Sequence, residues 1–420
     1  MEKLTAFVSQ HISDDTARLI LNRAKWPEID MDLAVNCIES RKKLRGKVQE
    51  WYNEPSLVFP TKLSAEQCSS SATAEYKATF AERIAGKDGW KIADLTGGLG
   101  VDSWFFSRKA SMVLYNEMQE CLCNAAAHNF KMLNTDNILI SCNIAEKERL
   151  SEIAGDFRPD IIYMDPARRG EGGKKVFLIE ECTPDVLTLK DEIFTFCRHI
   201  LIKLSPMADI SMVCERLGER CREVHVVASG GECKELLIWM DREWKGEYTV
   251  CAVELPSSYP DTSEASFTFK PSEEKSASAE PATGLAGSRE AGLYLFEPGK
   301  ALMKAGCFNL ISRHFGLKKT GRSTHYFITD SEDIATRLSS LGKVFGIIRI
   351  DTLDKRSIKA AGRDFPNAGV TARNIPMTSE MLRKKLGCND GDEAHIFGLK
   401  SDTEGMLLII GERIKKQQQI

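Results

Sequence analysis

At 420 residues the chain exceeds what one hydrophobic core usually serves, so two or three domains are expected. Apolar residues make up 42% and charged residues 28%, the balance of a soluble globular protein, which excludes a disordered or fibrous chain. Net charge is −3, which gives the whole chain no nucleic-acid signature, yet the stretch from Ala291 to Ile420 holds 21 Lys and Arg against 14 Asp and Glu, a surplus of 7 that leaves the first 290 residues at −10.

In chain order, Met1-Glu-Lys-Leu-Thr-Ala-Phe-Val8 lacks the sustained apolar stretch of a secretory signal, and a cytoplasmic location is expected. Residues 1–75 read as a helical domain, with Leu19, Ile20, Leu33, Ala34, Ile38 and Leu44 at helix-like intervals and Pro27 and Pro55 as punctuation. The run Arg41-Lys-Lys-Leu-Arg-Gly-Lys47 reads as a solvated helix end or a phosphate contact. Over residues 76–256 the pattern becomes short apolar runs separated by helical stretches, with strands at Lys91–Leu95, Met112–Asn116, Ile138–Ser141, Ile161–Met164, His199–Leu204, Glu223–Ala228 and Glu235–Met240. Ser229-Gly-Gly-Glu-Cys-Lys234 is too short for a helical crossover, so the last two strands should form an antiparallel hairpin. An α/β fold with a seven-stranded, doubly wound sheet follows. Residues 257–290 are rich in Ser, Glu, Ala and Pro and read as linker, with one strand at Ser266–Phe269. Residues 291–420 read as a small α+β module, with strands at Thr324–Thr329, Lys343–Ile350, His395–Leu399 and Met406–Gly411 and helices at Leu302–Phe315, Ser331–Leu341 and Ser379–Leu386. Its basic surplus suits a polyanionic partner and equally a solvated face. The longest apolar runs, such as Leu407-Leu-Ile-Ile410, are far too short for a bilayer, so no membrane anchor is expected. Thirteen cysteines show no Cys-x-x-Cys pair, so they read as buried reduced thiols and no metal site is expected.

The chemistry gathers at strand ends. Asp94-Leu-Thr-Gly-Gly-Leu-Gly100 follows the first strand and opens a helix, where Gly97, Gly98 and Gly100 let the chain turn tightly and bring backbone N–H groups to a ligand. Alone, that turn suits a dinucleotide loop equally well. Glu117 after the second strand offers a carboxylate for a ribose diol, with a helix-cap role as its plain alternative. Asn143 after the third strand offers an amide to an adenine amino group, and the fourth strand ends in Asp165-Pro166-Ala167-Arg168, a tetrapeptide that a dehydrogenase does not need.

On these residues, 60–255 resemble class I methyltransferases, with Asp94–Gly100 as motif I and Asp165–Arg168 as motif IV. The chain as a whole is similar to a family of bacterial methyltransferases with a THUMP-like, ferredoxin-like C-terminal domain, at Glu66-Gln-Cys-Ser-Ser, Glu75-Tyr-Lys-Ala, Lys203-Leu-Ser-Pro, Glu232-Cys-Lys-Glu235 and Arg373-Asn-Ile-Pro-Met-Thr. The resemblance implies a Rossmann-like methyltransferase sheet and S-adenosylmethionine as cofactor, held by Asp94, Thr96, Gly97, Gly98, Gly100, Glu117, Met118 and Asn143. It also implies an RNA partner, since THUMP domains bind RNA.

Three acceptor chemistries compete. Methylation of a base amino group uses an acid, a proline carbonyl and a stacking aromatic; here Asp165 and Pro166 are present, and stacking falls to Arg168 or Phe59. Methylation of a pyrimidine carbon needs a cysteine, and neither Cys182 nor Cys197 sits in the right loop. Methylation of a ribose 2′-hydroxyl resembles a family with a Lys-Asp-Lys-Glu tetrad, matched in order by Lys77, Asp165, Lys203 and Glu235. In that reading a low-dielectric pocket depresses the Lys203 pKa so that it takes the hydroxyl proton. Against it, Lys77 reads as a solvated helix residue and Glu235 as an edge charge beside Lys234. The loop Arg168-Arg-Gly-Glu-Gly-Gly-Lys-Lys175 suits a phosphate backbone. Rival readings are a catalytically silent RNA-binding module, an NAD-dependent oxidoreductase, and a methyltransferase acting on a protein or small molecule.

Overall fold

A computed structural model describes residues 2–168, 178–256, 264–287 and 292–414. Helices fill the chain before the first strand because apolar residues recur there at helical spacing and side chains cap the starts. Asp30 accepts the Leu33 N–H at the head of α1 (Met31–Leu44), Thr61 caps α2 (Lys62–Gln67), and Ser70 and Thr73 form a reciprocal capping box at α3 (Ser71–Ala85). Trp51, Phe59 and Phe80 from this region are buried in one cluster with Ile92, Phe105 and Tyr163 further along the chain. Each such side chain contributes about 1.5–3 kcal/mol on burial, so helices and sheet are stabilised jointly. The chain falls into two compact units, 1–229 with 234–248 and 255–263, and 230–233 with 249–254 and 264–420.

In the first unit the strands are β1 (Lys91–Asp94), β2 (Met112–Asn116), β3 (Ile138–Ser141), β4 (Ile161–Met164), β5 (His199–Leu204), β6 (Cys221–Ser229) and β7 (Glu232–Asp241). Their spatial order is β6-β7-β5-β4-β1-β2-β3. β1 pairs in parallel with β2 and β4, β3 with β2, and β5 with β4, whereas β7 runs antiparallel to β5. The turn from β6 to β7 is Gly230-Gly231 with φ +61° and +79°, as a tight hairpin with two left-handed residues requires. Between β1 and β2 lies α4 (Val101–Ser107), and α5 (Glu120–Met132) follows β2. The strand order reverses between β1 and β4, and in open sheets of this kind ligands bind beyond the carboxyl ends at that point.

The sheet counts nine strands rather than the expected seven, because Thr249–Leu255 and Ala265–Phe269, an antiparallel pair, are also in it. The second matches the strand expected inside the linker. The second unit holds an eight-stranded sheet over Leu295, Phe345, Ile350, Phe397 and Leu407, and a further apolar cluster involving the helices Lys355–Asp364 and Ser379–Leu386. Its expected first strand shortens to Phe327–Thr329 because His325 adopts φ +54°, and the expected helix Leu302–Phe315 breaks into Lys300–Ala305 and Phe308–Phe315 at the left-handed Gly306. Among the described residues, no helix is long and apolar enough to cross a membrane.

Candidate active site

A cavity of about 450 Å³ opens at the carboxyl ends of β1, β2, β4 and β5, lined by Asp94 to Asp102, Glu117, Met118, Asn143, Asp165 and Lys203. Asp94 is buried, its carboxylate accepting from the Thr96 N–H at 3.0 Å and the Ser103 hydroxyl at 2.6 Å. Burial nevertheless outweighs those bonds and pushes the carboxyl up to about 7. The glycine turn is held from within. The N–H groups of Gly97, Gly98 and Gly100 go to Asn116 O at 2.7 Å, Glu117 Oε2 at 2.9 Å and Gly97 O at 2.8 Å. Packing alone requires glycine at 97, since a Cβ there would lie 2.1 Å from the Tyr115 ring, whose hydroxyl donates to Gly98 O at 2.6 Å. Gly97→Ala is expected to cost about 1–3 kcal/mol, as overpacking does, read from urea unfolding; a cost under about 0.5 kcal/mol would contradict the ring contact.

The second and third loops are stitched to the first. Glu117 accepts the Gly98 N–H with one oxygen and the Gln119 N–H, at 2.9 Å, with the other. Buried Asn116 donates to Leu95 O and Asn143 O and accepts from Ser141 Oγ at 2.8 Å. The Asn143 amide donates to Ser141 Oγ at 2.9 Å and accepts from Arg149 at 3.0 Å. Met118 is exposed at the rim, and Thr96 Oγ1 accepts the Asp165 N–H at 2.6 Å, tying the first loop to the fourth.

Below the cavity lies a charged cluster that includes all four tetrad positions. Lys203 Nζ sits 2.5 Å from Asp165 Oδ2. Lys77 is fully buried rather than solvated; it donates to both Glu235 oxygens at 2.9 Å and to Ser69 Oγ at 2.8 Å, and lies 3.3 Å from Asp102 Oδ1. Glu235 therefore pairs with Lys77 and not with its neighbour Lys234. Lys77 and Glu235 lie outside the cavity lining, whereas Asp165 and Lys203 face it. Burial pushes the Glu235 carboxyl up despite both lysines. Asp102 is held below the ordinary carboxylate range, because Lys77 and Lys203 outweigh its burial; the hydroxyls of Ser69 and Tyr163 donate to its other oxygen at 3.0 and 2.9 Å. The expected depression of Lys203 is reversed. Burial alone would lower it, but Asp165, Glu235 and Asp102 together raise it above the ordinary lysine value.

Other expectations are corrected. Arg41 is neither solvated nor free for phosphate: it is buried, donating to the carbonyls of Tyr52, Glu54, Pro55 and Leu57, and Lys47 donates to Ala65 O and Glu66 O. Phe59 packs in the core against Trp51 and is not placed to stack on a base. Pro166 is buried beside Asp165, Ala167 lines the cavity, and the Arg168 side chain with residues 169–177 lies outside the described residues. Cys182 and Cys197 are buried and not in the cavity lining, whereas Cys68, which the sequence offers only within Glu66-Gln-Cys-Ser-Ser and not as a nucleophile, lines it with Ser64, Gln67 and Ser69. Its thiol donates to Ala65 O at 3.3 Å, and burial raises its pKa. Asp102, in the first turn after Gly100, is the other omission, and an acid following the glycines was its only sequence signal. Among the described residues, no group of three or more His, Cys, Asp or Glu could hold a metal ion.

Residues 294–334 match a ferredoxin-like domain profile and residues 342–413 a THUMP domain-like profile. A crystal structure described as a "putative methyltransferase" from Porphyromonas gingivalis W83 is 29% identical, with a TM-score of 0.84 over 98% of this chain and 98% of that one. Two further structures are alike only in part. An rRNA methylase from Streptococcus thermophilus is 13% identical over 39% of this chain and 93% of that one, with a TM-score of 0.29. A SAM dependent methyltransferase from Aquifex aeolicus is 15% identical over 39% and 87%, also with a TM-score of 0.29. At that TM-score neither adds to the fold assignment. No curated protein matches the chain.

Proposed function

We propose that this chain, a class I methyltransferase fold followed by a THUMP-like domain, transfers a methyl group from S-adenosylmethionine to RNA. The observation that carries the reading is the charge of the cavity: Asp94, Asp102, Glu117 and Asp165 line it against the single cation Lys203 among the described residues. Such a lining attracts a ligand bearing a sulfonium and an ammonium, and repels the diphosphate of a dinucleotide. The glycine-turn amides that would cradle a diphosphate are already bonded within the protein, and Asp102 adds a negative charge at the helix start.

S-adenosylmethionine supplies a methyl group bound to positively charged sulfur. Asp94 would face the ammonium of its amino-acid tail, and Glu117, with lone pairs left beyond its two backbone bonds, would accept from the ribose diol. Asn143, whose amide oxygen keeps a second lone pair, would meet the adenine amino group, with Met118 against the ring. The RNA part rests on the THUMP-like profile and on the surplus of 7 basic residues after residue 290. In the same reading Asp165 and Lys203 stand where the acceptor enters.

Titration calorimetry tests the assignment. S-adenosylmethionine should bind and NAD should not; the opposite result would make the chain an oxidoreductase. The pH response has a definite sign. Asp94 is raised in the folded state to about 7, so without ligand its contribution to stability falls as pH rises from the unfolded carboxylate value towards 7. A cationic ligand needs the ionised form, so its affinity rises through the same window. At pH about 6 binding should be roughly tenfold weaker than at pH about 8. A pH-independent affinity would remove Asp94 from the ligand's contacts.

A further inference from the structure

Resting on the RNA methyltransferase reading, we propose that the methyl acceptor is an exocyclic amino group of a nucleobase rather than a ribose hydroxyl, received by the Asp165 carboxylate with Lys203 as a fixed counter-cation. The argument begins with what stands at the acceptor end. Lys203 and Asp165 are the titratable pair facing the cavity there, and they are already joined at 2.5 Å. A hydroxyl acceptor requires a group that removes its proton as the new bond forms. Lys203 can do so only as a neutral amine. It belongs to a cluster of two lysines and three carboxylates in which Lys77 and Glu235 are buried and Asp165 opens on the cavity, with Lys77 engaged by Glu235, Ser69 and Asp102. Taking the Lys203 proton would leave three carboxylates facing one cation, an uphill change.

The direction in which charge develops points the same way. An alkoxide forming at the acceptor would face the Asp165 carboxylate, whereas an attacking amine becomes positive and is stabilised by it. Asp165 Oδ1 accepts no hydrogen bond among the described residues, and the side chain is 35% exposed, so it is available to an incoming N–H. In the transfer, the nitrogen lone pair forms the bond to the methyl carbon while the carbon–sulfur bond breaks and its electron pair stays on sulfur. The cationic nitrogen then gives up one proton to Asp165, which passes it to water. A carboxylate is a sufficient base for that acidic N–H, although a poor one for a hydroxyl. Pyrimidine carbon would instead need a thiolate, and Cys68 is held as a thiol.

Two measurements test the proposal. Nucleosides from total RNA of a strain lacking the protein should show loss of one species whose methyl stays on the free base, on an amino nitrogen, with every 2′-O-methyl nucleoside unchanged. Loss of a 2′-O-methyl or carbon-methylated nucleoside overturns the amine assignment and leaves the RNA methyltransferase reading standing. No change in any nucleoside overturns both. Independently of turnover, NMR of lysine-labelled full-length protein saturated with S-adenosylhomocysteine should find the Lys203 ammonium protonated up to pH about 9, with Lys203→Arg identifying the signal. Deprotonation at or below pH about 8 would restore Lys203 as the base and sink the proposal.

Discussion

Replacing Lys77 with methionine is expected to lower folding stability by about 3–5 kcal/mol, the cost of removing one partner from a buried ion pair. The size follows from what remains. Glu235 loses the donor of both its 2.9 Å bonds and, buried outside the cavity lining, cannot reach bulk water readily, and Asp102 loses its 3.3 Å counter-charge. A methionine fills most of the space, so little of the loss comes from a cavity. The double variant Lys77→Met/Glu235→Met should recover part of the loss, because an apolar pair escapes the desolvation cost. Denaturant unfolding of the full chain measures both. If the single variant loses less than about 1 kcal/mol, the network is not as buried as described.

Asp165→Asn is expected to reduce methyl transfer by roughly 10²–10⁴-fold, the usual range for a lost acid–base group, with S-adenosylmethionine affinity changed by no more than a few fold. Asparagine is close in shape, so the loop after β4 should keep its Thr96 bond to the backbone N–H of residue 165. What disappears is the charge opposite Lys203 and the oxygen that takes the acceptor's proton. Methyl incorporation into RNA from the deletion strain, read beside calorimetry, separates the two effects. Equal losses in binding and turnover would mean that Asp165 holds the donor molecule instead.

Much of the first sheet was legible because its signals are local. β2, β3, β4 and β5 begin and end where β-forming apolar runs do, and the Gly230-Gly231 hairpin is written in two adjacent residues. The strand Asn367–Arg373 escaped notice because Asn, Ala and Gly in its first three positions give no strand signal; its pairing with Asn389–Ser401 is long-range. The split at Gly306 lay inside an otherwise continuous apolar pattern. In the site, carboxylates after strand ends were readable as such. Their partners were not: Ser69 meets Asp102 across 33 positions and Lys77 meets Glu235 across 158. The apolar run around Lys203 implied burial, and burial alone argues for a lowered pKa. The sign reverses because Asp165, Glu235 and Asp102 are brought to it from distant parts of the chain.

Ser64, Gln67, Cys68 and Ser69 reach the cavity from the helices that precede β1, and Trp51 and Phe59 from the same stretch are wholly buried in the shared apolar cluster. The leading third of the first unit is thus not a detachable adaptor. Any polypeptide begun at residue 76 would open the reaction chamber to bulk solvent on one side and strip the Lys77 ammonium of its hydroxyl ligand. Exchanging that front end as a cassette would remove one wall of the cavity and, with Trp51 and Phe59, part of the apolar cluster it shares with the sheet.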